Sequence, residues 1–150
     1  MSSTYTRIQI QAVFAVKYRE TKIDKIWRNR LYEYIIAIIQ NRGHKALAVG
    51  GVEDHIHIFF GFRPKQSLSS LMLEIKRDSS KWINQNGFVK GRFEWQSGYG
   101  AFSYSKSHTH NVVRYINNQE RHHAKKTFLD EYKKILNNLG IRYDEQYMLK

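Results

Sequence analysis

Cysteine is absent from all 150 residues. That excludes disulfides, thiolate zinc sites and a cysteine nucleophile, and it suits a reducing cytoplasm. Acidic residues are scarce: 13 Asp and Glu stand against 25 Lys and Arg, for a net charge of +12 and a pI near 9.9. A surplus this large on a small chain favours a polyanionic partner, nucleic acid first. No apolar run is long enough to span a bilayer, and the opening "MSSTYTRIQIQ" has no signal-peptide core. The expectation is therefore a cytoplasmic protein with no membrane partner. No GxSxG elbow frames a serine, and "GFRPKQS" lacks the P-loop pattern. Repeats, linkers and low-complexity tracts are missing too, so the length supports one domain over 1–150.

What is present is a succession of clear periodicities. Ile8, Ile10, Ala12, Phe14, Val16 and Tyr18 alternate with Arg7, Gln9, Gln11 and Lys17, which predicts a half-buried strand. Asp24 can cap a helix in which Trp27, Leu31, Tyr34, Ile35 and Ile38 recur at helical spacing until Gly43. "KALAVGGV" and "HIHIFFGF" read as two strands of a hairpin turning near Glu53 and Asp54. Pro64, the single proline, precedes a second helix with Leu68, Leu71, Met72, Ile75 and Trp82 on its apolar stripe. "RFEWQSGYGAFSYS" suits a short strand and a flexible connection. Helix returns after Ser107, with Val112, Tyr115, Ile116 and Gln119 in phase, and again over "FLDEYKKILNNLG", which Gly140 closes. The order β-α-β-β-α-β plus C-terminal helices predicts an α+β, ferredoxin-like (RRM-like) antiparallel sheet with two helices on one face.

Within the third strand, packing of Ile56, Ile58, Phe60 and Phe62 beneath those helices turns His55, His57 and Phe59 to the open face. The two histidine Cα atoms then stand roughly 6–7 Å apart, close enough for both rings to converge on one ion. An HxH pair alone is weak evidence, so the question is what else reaches that face. Tyr115 and Gln119 share one side of the helix expected to cover it. By periodicity alone Tyr115 reads as a core aromatic and Gln119 as solvated. Asp54 reads as a turn residue, solvated or supporting a neighbouring ligand. His108, His110, His122 and His123 read as helix-end or phosphate-facing groups rather than ligands. Lys76, Arg77, Lys81, Lys90 and Arg92, with Arg114 and Arg121, are candidates to follow a nucleic-acid backbone, each weighed against an ordinary charged helix face.

Taken together, "EDHIHIFF", "FEWQSGYGAFSYS" and "VVRYINNQERHHAKKTFLDEYKKILNNLGIRYDEQY" resemble, over essentially the whole chain, the single-tyrosine HUH transposases of small bacterial insertion sequences, with the REP-associated tyrosine transposases as relatives. The middle motif departs only at Tyr104, where a smaller apolar residue is usual. The resemblance implies that His55, His57 and Gln119 hold a divalent metal, Mg²⁺ or Mn²⁺, and that Tyr115, carried by the C-terminal helices, is the nucleophile. It implies a bacterial or archaeal, nucleoid-associated enzyme that cuts and rejoins single-stranded or hairpin DNA at element ends through a 5′-phosphotyrosine, with no small-molecule cofactor. It also implies a homodimer in which one chain's tyrosine helix completes its partner's site. Two alternatives stand beside it. One is a domesticated relative acting on dispersed repeats; the other is a non-catalytic single-stranded nucleic-acid-binding module, which leaves the histidine pair without a task and lacks the RNP aromatic pattern.

Overall fold

A computed structural model describes residues 3–18, 21–124 and 126–148. Four strands, β1 (Gln9–Ala15), β2 (Lys45–Gly51), β3 (His55–Gly61) and β4 (Gly100–Tyr104), form one sheet in the order β2-β3-β1-β4. All neighbours are antiparallel, and the β1–β3 register sets Val13 opposite His57 and Ala15 opposite His55. This is the ferredoxin-like arrangement the periodicities predict.

Helices α1 (Lys25–Asn41) and α2 (Leu68–Asn86) cover one face. Asp24 caps α1 by accepting from the Ile26 amide, and Ser67 caps α2 by accepting from the Ser70 amide, each satisfying a donor that the first helical turn leaves free. Gly87 ends α2 in the left-handed conformation at φ 63°, where a Cβ would be strained. Beneath them Ile10, Ala12, Phe14, Ile56, Ile58 and Phe60 meet Leu31, Ile35, Leu71, Met72 and Ile75 in the principal core. Trp95 closes its edge, edge-on to Phe14, with its indole N–H donating to Ser79 Oγ at 2.9 Å.

The opposite face is not open. α3 (Thr109–Asn117), α4 (Gln119–His123) and α5 (Phe128–Asn138) follow β4. α3 sets Val112 and Ile116 on Ala48 and Phe59, while Phe128 and Leu136 of α5 pack on Val13, Ala15 and Phe102. β1 is therefore buried on both sides, with Gln11 only 2% exposed, and the expectation of a half-buried strand fails. Its second set of positions, Gln11, Val13 and Ala15, is small or polar and reads as a solvated face until the last helices are folded over it. The single helix predicted over residues 108–123 also differs, because Asn118 (φ −104°, ψ 20°) separates α3 from α4.

Candidate metal and nucleophile site

Strand alternation places His55 and His57 side by side beneath α4 and α5, and both are fully buried. On the neighbouring strand, Gln11 lies diagonal to His57 and its Nε2 sits 3.0 Å from His57 Nδ1. Asp54, in the hairpin turn, accepts from His55 Nδ1 at 2.7 Å. Each imidazole is thus oriented through Nδ1 and aims Nε2 at the space under the C-terminal helices, and for His55 the Asp54 carboxylate sets the tautomer of a ligand as well.

Into that space α5 projects Glu131. Its Oε1 lies 3.2 Å from His55 Nε2, 3.1 Å from His57 Nε2 and 3.0 Å from His123 Nε2. One ligand atom from each of these four residues falls within 4.8 Å of all the others. Thr127 caps α5 by accepting from the Asp130 amide at 3.2 Å, which fixes where the helix starts and hence where Glu131 points. From α3, the Tyr115 hydroxyl donates to Glu131 Oε2, with its ring edge-on to His57 at 5.6 Å between centroids. Gln119 Nε2 donates to the same Oε2 at 3.1 Å, and Gln119 Oε1 stands 3.2 Å from His55 Nε2.

The electrostatics are those of one negative centre ringed by imidazoles. Burial works to raise the Glu131 carboxyl, but the imidazoles of His123, His55 and His57 around it outweigh burial and hold the group far below the carboxylate range. Burial likewise opposes charge on His55, yet Asp54 and Glu131 leave its pKa above the ordinary value. His57 is depressed, with burial as the leading cause. Burial, then the Glu131 carboxylate, pushes the Tyr115 phenol well above its usual value. Three nitrogens and a carboxylate oxygen at this spacing can hold a divalent ion.

All four residues expected at the centre, His55, His57, Tyr115 and Gln119, are brought together. His123 ends α4 as expected, but its Nε2 faces the cluster and is buried. Glu131 was not singled out by its surroundings in the sequence, although it lies within the apolar stripe of α5, a position that signals a buried carboxylate. The candidate backbone-tracking residues lie elsewhere. Arg77, Lys81, Lys90, Arg92, Arg114 and Arg121 are exposed, with Arg77 paired to Asp78 and Arg92 to Glu94. Lys76 instead donates to the Gln96 and Gly98 carbonyls, each at 2.7 Å, bracing the loop that leads into β4.

The connection carrying Tyr115 is also ordered. Gly98 precedes β4 and Gly100 lies within it, while the link to α3 is a 3₁₀ turn, Lys106–His108, with Ser105 Oγ 2.9 Å from His108 Nδ1. In the single chain Tyr115 lies against Glu131 and His57. No helix among the described residues is long and apolar enough to cross a membrane.

Comparison with known proteins agrees with this fold. No curated protein matches the chain significantly. Among solved structures, a provisionally named transposase of Deinococcus radiodurans R1 superposes with TM-score 0.63 at 18% identity, over 79% of this chain and 95% of that one. A REP-associated tyrosine transposase bound to a REP hairpin gives 0.60 at 17% identity, over 82% and 73%. At such identities these two establish the shared fold. Residues 4–119 match the family described as "Transposase IS200 like", and by that match, over most of its length, the chain belongs to the IS200-like transposases.

Proposed function

We propose that this transposase cuts and rejoins single-stranded DNA at the ends of a mobile element, with Tyr115 as the nucleophile. The observation that carries the reading is the meeting of a half-buried phenol and a buried histidine pair around one carboxylate. In this reading the Tyr115 oxygen attacks phosphorus and gives up its proton, the phosphorus–O3′ bond breaks, and the chain holds a 5′-phosphotyrosine while O3′ takes up a proton and departs as a 3′-hydroxyl. Phenol suits the task because its ordinary pKa near ~10 makes it a better leaving group than an alkoxide, so a DNA 3′-hydroxyl can displace it and reseal a strand. His55 and His57, with Gln119 beside them, would hold a divalent ion, whose Lewis-acid charge would polarise the scissile phosphate. Asp54 and Gln11 fix the imidazoles, and the packing of Val112 and Ile116 sets the phenol.

The net charge of +12 and the exposed Arg77, Lys81, Lys90, Arg92, Arg114 and Arg121 support a DNA strand along the surface. The similarity to a hairpin-bound relative supports hairpin DNA at element ends as substrate, and a homodimer is the assembly that accommodates two ends. The test is to incubate the protein with single-stranded element ends and Mn²⁺ and resolve the products on a denaturing gel. A covalent protein–DNA band is expected, lost in Tyr115→Phe while DNA affinity and circular dichroism stay as in the wild type. Persistence of the band in Tyr115→Phe moves the nucleophile elsewhere.

A further inference from the structure

We infer that the metal centre of this chain is closed by its own C-terminal segment: His123 and Glu131 are ligands alongside His55 and His57, forming an N₃O set that selects Co²⁺- or Zn²⁺-like ions over Mg²⁺. The inference rests on the site being metal-binding, as in the proposed function, and adds which residues bind and what class of ion they choose.

His123 carries the argument. Its Nδ1–H donates to the Lys126 carbonyl at 2.7 Å, so the neutral ring presents a lone pair at Nε2. That atom is buried without a hydrogen-bond partner, although Glu131 Oε1 stands only 3.0 Å away. The distance is that of a hydrogen bond but the alignment is not. A lone pair and a carboxylate oxygen held face to face repel unless a cation lies between them. His55 is held in a related way, since its Nδ1–H goes to Asp54 at 2.7 Å and its Nε2 stands 3.2 Å from both the same Oε1 and Gln119 Oε1. His57 joins when the Gln11 amide makes a half-turn and offers its oxygen to Nδ1–H.

The framework holds these atoms from several directions. Arg28, itself buried, donates to Glu120 at 2.9 Å and fastens α4 to the start of α1. Phe128 stacks on His55 at 4.4 Å, anchoring the first turn of α5. Gln119 and Tyr115 both donate to Oε2, leaving Oε1 to face the three nitrogens. An ion bound through Oε1 is therefore tied to the nucleophile through the other oxygen of one carboxylate. Three imidazoles and one carboxylate suit late first-row ions, whereas Mg²⁺ prefers an octahedron of oxygens and keeps its waters.

The experiment titrates the full chain with Co²⁺, Zn²⁺ and Mg²⁺ by calorimetry and follows the Co²⁺ visible spectrum, without DNA. Expected are an intense four-coordinate Co²⁺ band, Mg²⁺ binding weaker than Co²⁺, and a loss of Co²⁺ affinity of about tenfold or more in both Glu131→Gln and His123→Asn. If both variants bind Co²⁺ as the wild type does while His57→Ala does not, the two C-terminal ligands are refuted and the histidine pair stands. If His57→Ala also binds normally, the metal reading itself falls. Should either variant fail to fold, the wild-type spectrum decides alone: a faint octahedral band, or Mg²⁺ equal to Co²⁺, overturns the inference.

Discussion

Gly50→Ala tests whether the seat of the tyrosine helix is set by contact between backbones. At Gly50 in β2 a Cβ would fall 2.6 Å from the Ile116 carbonyl oxygen and 3.1 Å from Ile116 Cγ2. The first neighbour is backbone and cannot rotate aside, so α3 must lift by about 0.8 Å to restore ordinary contact. Overpacking of this kind costs about 1–3 kcal/mol, which for a chain of this size lowers Tm by roughly 2–12 °C. Tyr115 precedes Ile116 directly, so its hydroxyl moves with the helix, and a displacement near ~1 Å at a nucleophile costs up to about 100-fold in rate. Urea denaturation reads the stability, with a lower midpoint at unchanged slope. Single-turnover formation of the covalent adduct reads the rate. Adding Ile116→Ala removes the Cγ2 contact but leaves the carbonyl, so the double variant should recover little of either. Wild-type stability and adduct rate in Gly50→Ala would refute the argument, and full rescue by Ile116→Ala would shift the cause to the side chain.

Mixing His57→Ala with Tyr115→Phe chains should leave adduct formation absent if the contact of Tyr115 with its own chain's His57 and Glu131 is the working one; recovery after subunit exchange would show that the helices cross between chains. Binding of a single-stranded end, followed by fluorescence anisotropy, should weaken with salt at a log–log slope of about −0.7 per phosphate contact, and a fully paired duplex without a hairpin should not be cleaved at a comparable rate. Arg42 bonds Glu74 and Asp78 between α1 and α2 and holds the Glu74 carboxyl below its ordinary range. A lowered folded pKa gives a contribution that is complete above the unfolded value of ~4.3 and is lost as pH falls through the folded one. Glu74→Gln should therefore flatten the acid limb of a Tm-against-pH profile, and an unchanged limb would remove the pair from the account.

The order of elements was legible because each apolar stripe has one period and one punctuating residue. Asp24, Ser67, Gly43 and Gly140 mark boundaries through local chemistry that needs no tertiary partner. That the cover over the second sheet face buries β1 on both sides was not legible in this way. Gln11, Val13 and Ala15 look like the wet side of a strand, and only the later Val112, Ile116, Phe128 and Leu136 bury them. The site divides along the same line. His55 and His57 declare themselves by alternation within three residues, whereas His123 and Glu131 reach them from 66 to 76 residues away. Their signals were local all the same. His123 continues the four-residue spacing of Tyr115 and Gln119, and Glu131 sits between Phe128 and Ile135 where a helix of this phase turns inward.

Stability does not explain why a carboxylate occupies that inward position. Desolvating Glu131 and its imidazoles costs several kcal/mol per ion, and apolar groups of similar volume commonly hold a helix as well or better. Apolar groups already do so here, since Phe128 and Leu136 fix α5 against Val13, Ala15 and Phe102, with Met148 beside them. The half of α5 that anchors is thus distinct from the residue that meets the histidines. A leucine at 131 would extend the apolar seam but leave three Nε2 atoms and the Tyr115 hydroxyl without a common partner. The cost of burying Glu131 is borne where it draws the tyrosine and the histidines to one point, and that convergence is what the proposed chemistry requires.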